Sequence, residues 1–120
     1  MNYRHAFHAG NFADLVKHAT LLQLLDRMAK SHRTLSILDT HAGRGLYDLS
    51  GHESLRAGEA AAGILRLMQT QDLPSVFEGL RKAVTDLNKS GPLRYYPGSP
   101  LLAAGQLRQG DSYLGCELRP

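Results

Sequence analysis

Residues 36–48 read SILDTHAGRGLYD, and the fold turns on how they are taken. A short β-leaning run, Thr34 to Asp39, ends on a carboxylate and opens at once into a loop with glycines at 43 and 45. That pattern predicts a strand whose carboxyl end meets a glycine turn, the place where open α/β sheets hold their ligands. A glycine has no Cβ, so Gly43 and Gly45 allow the backbone close to a ligand and permit turns that other residues resist.

On the amino-terminal side, NFADLVKHATLLQLLDRMAK (11–30) sets Phe12, Leu15, Val16, Ala19, Leu22, Leu25 and Met28 at three- and four-residue steps. The spacing predicts a helix with one buried stripe. Asn11 is placed to cap it, and Asp14 puts a carboxylate in its first turn. On the carboxyl side, two amphipathic helices are expected. SLRAGEAAAGILRLMQT (54–70) carries Leu55, Ile64, Leu65, Leu67 and Met68, and PSVFEGLRKAVTDLNK (74–89) carries Phe77, Leu80, Val84 and Leu87, with Pro74 in its first turn. KSGPLRYYPG (89–98) reads as a loop. SPLLAAGQLR (99–108) reads as a short helix with Ser99 as N-cap and Pro100 at the first helical position. Gly110 ends it, and SYLGCEL (112–118) is a second strand with Glu117 at its tip and Cys116 as a small core residue.

Strand, glycine loop, helix and acid-tipped strand make a nucleotide-type α/β unit. A compact unit has its acid about 20 residues after the glycines. Here 72 positions separate Gly45 from Glu117, and a helical insertion takes up the surplus. The expected organisation is residues 1–50 as first helix, strand and glycine loop, 51–90 as helical insertion, and 91–120 as loop, helix and second strand.

Three ligand readings compete for the loop. A dinucleotide fingerprint wants a third glycine where Asp48 stands, and Asp39 sits badly beside a pyrophosphate. A phosphate-binding loop would continue Gly-Lys-Ser/Thr, which is absent. S-adenosylmethionine offers an ammonium and a sulfonium and no phosphate, and Asp39-x-x-x-Gly43-x-Gly45 suits it. The plain alternative is a strand-to-helix turn with no ligand. Glu117 weighs against that, since its carboxylate can accept two ribose hydroxyls.

At 120 residues, with 42% hydrophobic and 21% charged positions, the chain has the composition of one globular domain. Its apolar runs are too broken for a transmembrane helix or a signal peptide. A lone Cys116 fits a reducing compartment, so a cytoplasmic location and no membrane partner are expected. A net charge of +3 permits a nucleic-acid partner without requiring one. Tyr3, Arg4, His5 and Phe7 form one aromatic and basic patch and Arg94, Tyr95 and Tyr96 another. Both are mixtures that stack on bases and pair with phosphates, although Phe7 and the two later tyrosines also suit packing. The histidines lack the accompanying ligands of a metal site. His18 has two readings, a polar helix-face partner of Asp14 or a donor to a ligand. Lys17 reads as a solvated neighbour.

Four blocks, YRHAFHAGNFADLVKH (3–18), LDTHAGRG (38–45), LRYYPGSP (93–100) and CELRP (116–120), resemble the amino-terminal portion of the bacterial large-subunit ribosomal RNA adenine-N6 methyltransferases of the RlmJ family. The resemblance covers essentially the whole chain. It implies a partial Rossmann-like methyltransferase core with an inserted helical subdomain, and S-adenosyl-L-methionine as methyl donor. It implies cofactor contacts from His18, His41, Ser99 and Glu117, beside Asp39, Gly43 and Gly45 read from the loop itself. Contact with large-subunit ribosomal RNA is implied for Tyr3, with Arg4 beside it. The family's catalytic Asp-Pro-Pro-Tyr motif does not occur in these residues, so no catalytic residue is assigned. The chain is expected to be the cofactor-binding part of a monomeric parent enzyme, prone to self-association by itself. The competing class is a non-enzymatic RNA-binding or protein-interaction module, which would have no use for the cofactor.

Overall fold

The computed structural model describes residues 5–52 and 58–118. After a single turn, α1 (His5–His8), the longest element is α2 (Phe12–Ser31). The Asn11 side chain caps it by accepting the Asp14 N–H at 2.9 Å. Its buried face consists of Asp14, Leu15, His18, Ala19, Leu22 and Leu25. This corrects the expected stripe at three positions: Phe12, Val16 and Met28 are exposed, at 73%, 46% and 37%. At 3.6 residues per turn, a face centred on Leu15, Ala19 and Leu22 sweeps in His18 and turns those three side chains outward.

The first strand, β1 (Ser36–Asp39), pairs in parallel with the last, β4 (Ser112–Gly115), in the register Ser36 to Ser112 and Asp39 to Gly115. Pairing continues past both tips, where the Cys116 N–H donates to the Asp39 carbonyl at 2.8 Å and the Ala42 N–H to the Cys116 carbonyl at 3.0 Å. Cys116 itself, one position past the end of β4, is exposed rather than a core residue.

A second, antiparallel pair joins β2 (Leu46–Asp48) to β3 (Tyr95–Pro97). Both segments were expected as loop. Three residues per strand are too few for a periodic signal, and the glycines and prolines around them read as turns. Arg94 straps the pair together through Asp48, at 3.1 Å.

Between β2 and β3 runs the helical segment. A π-helical turn (Ala61–Leu65) continues into α3 (Arg66–Gln69), and a 3₁₀ turn (Ser75–Phe77) into α4 (Glu78–Leu87), with Pro74 just ahead of it. The expected Leu55 lies outside the described residues. The π-helical turn is pressed onto the start of α2: the Ile64 N–H donates to the Gly10 carbonyl at 2.9 Å, and a Cβ on Gly63 would collide with that same carbonyl oxygen. Ile64, Leu67, Leu80 and Val84 from this segment share one core with Leu15 and Leu22 of α2 and with Tyr47, Tyr96 and Leu102. Each fully covered aliphatic side chain there contributes about 1.5–3 kcal/mol.

The last helix, α5 (Ser99–Gln106), starts from Gly98 as N-cap, not from Ser99. The Ser99 hydroxyl is engaged elsewhere, as described below. Only glycine fits at 98, since a Cβ would run into the Arg44 carbonyl oxygen. The carboxyl end of α2 is closed from the far side of the chain by Arg108, which donates to the Ala29 carbonyl at 2.6 Å and is itself held by Asp111. The chain is thus an α/β fold of helices around two small sheets. Among the described residues, no helix is long and apolar enough to cross a membrane.

Candidate functional site

Because β1 and β4 are parallel neighbours, their carboxyl tips lie side by side. Asp39 ends β1, and Glu117 stands two residues past the end of β4. Between them the chain turns through Gly43, whose φ of +67° is a conformation that a side chain resists. The turn delivers the Gly43 N–H to Glu117 Oε2 at 2.8 Å.

Asp39 is surrounded by donors. Its Oδ2 accepts the Ser99 hydroxyl at 2.6 Å and the Tyr113 hydroxyl at 3.1 Å, and its Oδ1 accepts the His41 N–H at 3.3 Å. The Ser99 hydroxyl also lies 3.2 Å from the Ala42 carbonyl. Burial first, then the Asp39 carboxylate, pushes the Tyr113 phenol up to about 12, so it stays protonated and donates.

A cleft of about 430 Å³ opens beside this cluster. Its walls are Lys17, His18 and Leu21 of α2, Ile37 to Asp39 of β1, Thr40 and His41 of the loop, Ser99 and Ala103 of α5, and Tyr113. His18 is 2% exposed, with its Nδ1 2.7 Å from the Tyr96 hydroxyl. The reading of His18 as a polar helix-face partner of Asp14 is therefore corrected: the buried stripe carries it inward. Asp14 is instead held by the Gly10 N–H at 3.1 Å and by Lys17 at 3.3 Å.

Of the residues singled out in the sequence, His18, Asp39, His41 and Ser99 line the one cleft, while Gly43 and Glu117 are joined at the strand tips. Gly45 is a neighbour with a lesser part. Its carbonyl accepts the Gly98 N–H at 2.9 Å, but a Cβ there would find only ordinary contacts at 3.9 Å. The close approach falls at Gly98, which the sequence reading did not single out. Tyr3 and Arg4 lie outside the described residues. Tyr95 is half-buried with Arg94 over its ring at 5.1 Å, and Tyr96 is fully buried.

Tyr113 and Tyr96 were missed as members of the cluster. For Tyr113 a signal existed, because alternation puts Asp39 on the face of Ile37, and Tyr113 is the register partner of Ile37. For Tyr96 none existed, since its contact with α2 spans 78 positions. Among the described residues, no three His, Cys, Asp or Glu side chains gather as a metal site.

Paired parallel strands whose tips carry an acid, a left-handed glycine and a second acid define an α/β protein, and in open sheets of that class the strand ends are the usual place for a ligand. Comparison with known families places the chain more narrowly. It belongs to the RlmJ family: the model described as "Ribosomal RNA large subunit methyltransferase D, RlmJ" matches residues 32–120. The chain is 44% identical over 120 residues to ribosomal RNA large subunit methyltransferase J of Escherichia coli K12, covering all of this chain and 43% of that one. It is 45% identical over 121 residues to the protein of that name in Haemophilus influenzae, again 43% of its length. The chain thus spans less than half the length of these relatives. The crystal structure of protein LPL1258 from Legionella pneumophila, a member of family DUF519, superposes with a TM-score of 0.83 at 41% identity. That match covers 94% of this chain and 41% of the other.

Proposed function

We propose that the chain forms the S-adenosylmethionine-binding part of a Rossmann-like methyltransferase that modifies N6 of an adenine in large-subunit ribosomal RNA. The carrying observation is the pair of adjacent strand tips bridged by the Gly43 to Glu117 hydrogen bond. Family membership supports the reaction class, as do the names of the relatives.

The residues present fit such a cofactor. Gly43, in its left-handed conformation, brings bare backbone to the strand ends. Glu117 is the carboxylate for the ribose hydroxyls. Asp39, His41, Ser99 and His18 surround a cleft that offers a carboxylate for a cationic group and donors for an anionic one. When bound, the cofactor supplies a methyl group made electrophilic by its sulfonium. The chain's own task is to hold that group still, with Asp39 kept in place by Ser99 and Tyr113. Tyr3 and Arg4 are assigned to the RNA. Residues 51–90 form the helical insertion between the two parts of the core, and the protein works in the cytoplasm, where ribosomal RNA is modified.

Calorimetry on the protein at its relatives' full length tests this. Glu117→Ala should weaken S-adenosylmethionine binding at least roughly tenfold, since charge-assisted hydrogen bonds are each worth about 1.5–3 kcal/mol. Unchanged affinity would remove Glu117 from the site. RNA binding with no cofactor binding at all would favour a non-enzymatic RNA module.

A further inference from the structure

Asp39 is the register partner of Gly115, so the strand beside it offers no side chain at that level. Tyr113, two positions earlier and therefore on the same face of β4, takes the vacant place. Its ring lies so close over Gly115 that a Cβ there would stand 3.0 Å from both Cε1 and the hydroxyl oxygen of Tyr113. Gly115 is not one of the glycines with a positive φ, so its backbone would accept alanine. What the glycine supplies is room for the ring, and the ring carries its hydroxyl to Asp39.

That hydroxyl decides how Asp39 meets the cleft. Oδ2 already receives the Ser99 hydroxyl at 2.6 Å, and Tyr113 at 3.1 Å is its second donor. A carboxylate oxygen has about two lone-pair sites, so Oδ2 is filled. Ser99 alone would hold it less surely, because its single proton has a second acceptor in the Ala42 carbonyl at 3.2 Å. Oδ1 is the opposite case: the His41 N–H reaches it only at 3.3 Å, in an exposed contact. One oxygen is saturated by the protein and the other keeps capacity for a ligand. An ammonium has N–H groups to give to it, whereas a sulfonium has none.

We propose that Tyr113, laid over Gly115, is a positioning residue that saturates Oδ2 of Asp39 and so leaves Oδ1 to receive the ammonium group of the ligand's amino-acid arm. The choice of ligand rests on the cofactor reading above; the hold of Tyr113 on Asp39 does not.

The carboxyl carbon-13 signal of Asp39 in the 120-residue chain, assigned through Asp39→Asn, tests that hold without any ligand. It should move in Tyr113→Phe, which keeps the ring and loses only the hydroxyl, and in Gly115→Ala, which displaces the ring. A signal unmoved by Tyr113→Phe overturns the proposal. Calorimetry on the protein at its relatives' full length then isolates the ammonium with two probes. S-adenosylhomocysteine carries the amino-acid arm, and 5′-methylthioadenosine has the same adenosine and a neutral sulfur without it. Tyr113→Phe and Gly115→Ala should each bind the first about fivefold more weakly, the size of one ordinary hydrogen bond, and the second as the wild type does. Tyr113→Phe should add nothing to Asp39→Asn, since it acts through that carboxylate. Equal losses on both probes, or a full further loss in the Asp39→Asn background, overturn the positioning role. A loss for S-adenosylmethionine with none for S-adenosylhomocysteine overturns the assignment of the ammonium to Oδ1. A wild type that binds none of the three compounds overturns the cofactor reading, and the carbon signal still decides whether Tyr113 holds Asp39.

Discussion

The backbone N–H of Gly43 donates to the Glu117 carboxylate across 2.8 Å and 74 positions of sequence. The turn after one strand and the acid after its neighbour therefore fix each other's place. Neither can be understood from its local sequence, because the glycine's left-handed φ makes sense only when something waits for the N–H that it presents.

Three glycines should not answer alike to the same substitution. Gly43→Ala forces a side chain into φ +67° and should cost about 1–2 kcal/mol in urea unfolding, with a weakened cofactor site besides. Gly98→Ala places a Cβ against the Arg44 carbonyl at the start of α5, so it should cost about 1–3 kcal/mol or more through displaced backbone. Gly45→Ala, with ordinary contacts at 3.9 Å, should stay close to wild type. A Gly45→Ala loss as large as that of Gly98→Ala would contradict this ranking.

Stability should fall at acid pH through two identifiable carboxyls. Asp48, held first by the Arg94 side chain and then by Ser50, sits at about 2 against an ordinary 3.8. Asp111, held first by the Arg108 side chain and then by backbone N–H groups, is likewise at about 2. Both pKa values are lowered in the folded state, so the contribution is complete above pH 3.8 and is lost as pH drops toward 2. Carbon-detected NMR titration should show Asp48 moving up to its ordinary range in Arg94→Ala. A midpoint unmoved by that change would mean that Arg94 is not the cause.

Leu38 and Leu114 face each other across β1 and β4, each 63% exposed. This apolar sheet face should drive association of the 120-residue chain, visible as concentration-dependent sedimentation. Leu114→Lys should reduce it. A chain that stays monomeric at the highest concentration reached would show that the face is tolerated by itself.

The 120-residue chain should not methylate RNA. It holds the proposed cofactor residues but no Asp-Pro-Pro-Tyr run to orient an exocyclic amine, a weak nucleophile until it is held in line with the methyl group. Incubation with radiolabelled S-adenosylmethionine and unmodified ribosomal RNA should leave the RNA unlabelled. Label incorporated as fast as by a full-length relative would mean that the groups acting on the amine lie within these residues.

Much of this arrangement was legible in the sequence, for reasons that also mark the limit. Asn11 and Asp14 announce the start of α2, and the run ending at Asp39 announces β1, because capping and strand propensity act over a few residues. His18, Asp39, His41 and Ser99 gather on one cleft, but only Asp39 is read there from the loop's own spacing; His18, His41 and Ser99 are named through the resemblance to the RlmJ family. What failed were features decided at a distance. Ser99 looked like an N-cap, but its hydroxyl is taken by Asp39, 60 positions away. Phe12 and Met28 continued an apolar period that the neighbouring helices do not cover. The three-residue strands β2 and β3 exist only because each finds the other.

Among the described residues, no strand pairs with a near neighbour in the chain. Ser36 waits for Ser112, 76 positions later, and Leu46 for Pro97. Parallel and long-range pairings must close large loops before any contact rewards them, which makes them slow. During synthesis, α2 and the helices that pack on it leave the ribosome complete while β1 still has no partner. The strand tips therefore come together only after the described helices have been made, and throughout that interval Ile37 and Leu38 lack the strand β4 that pairs with them.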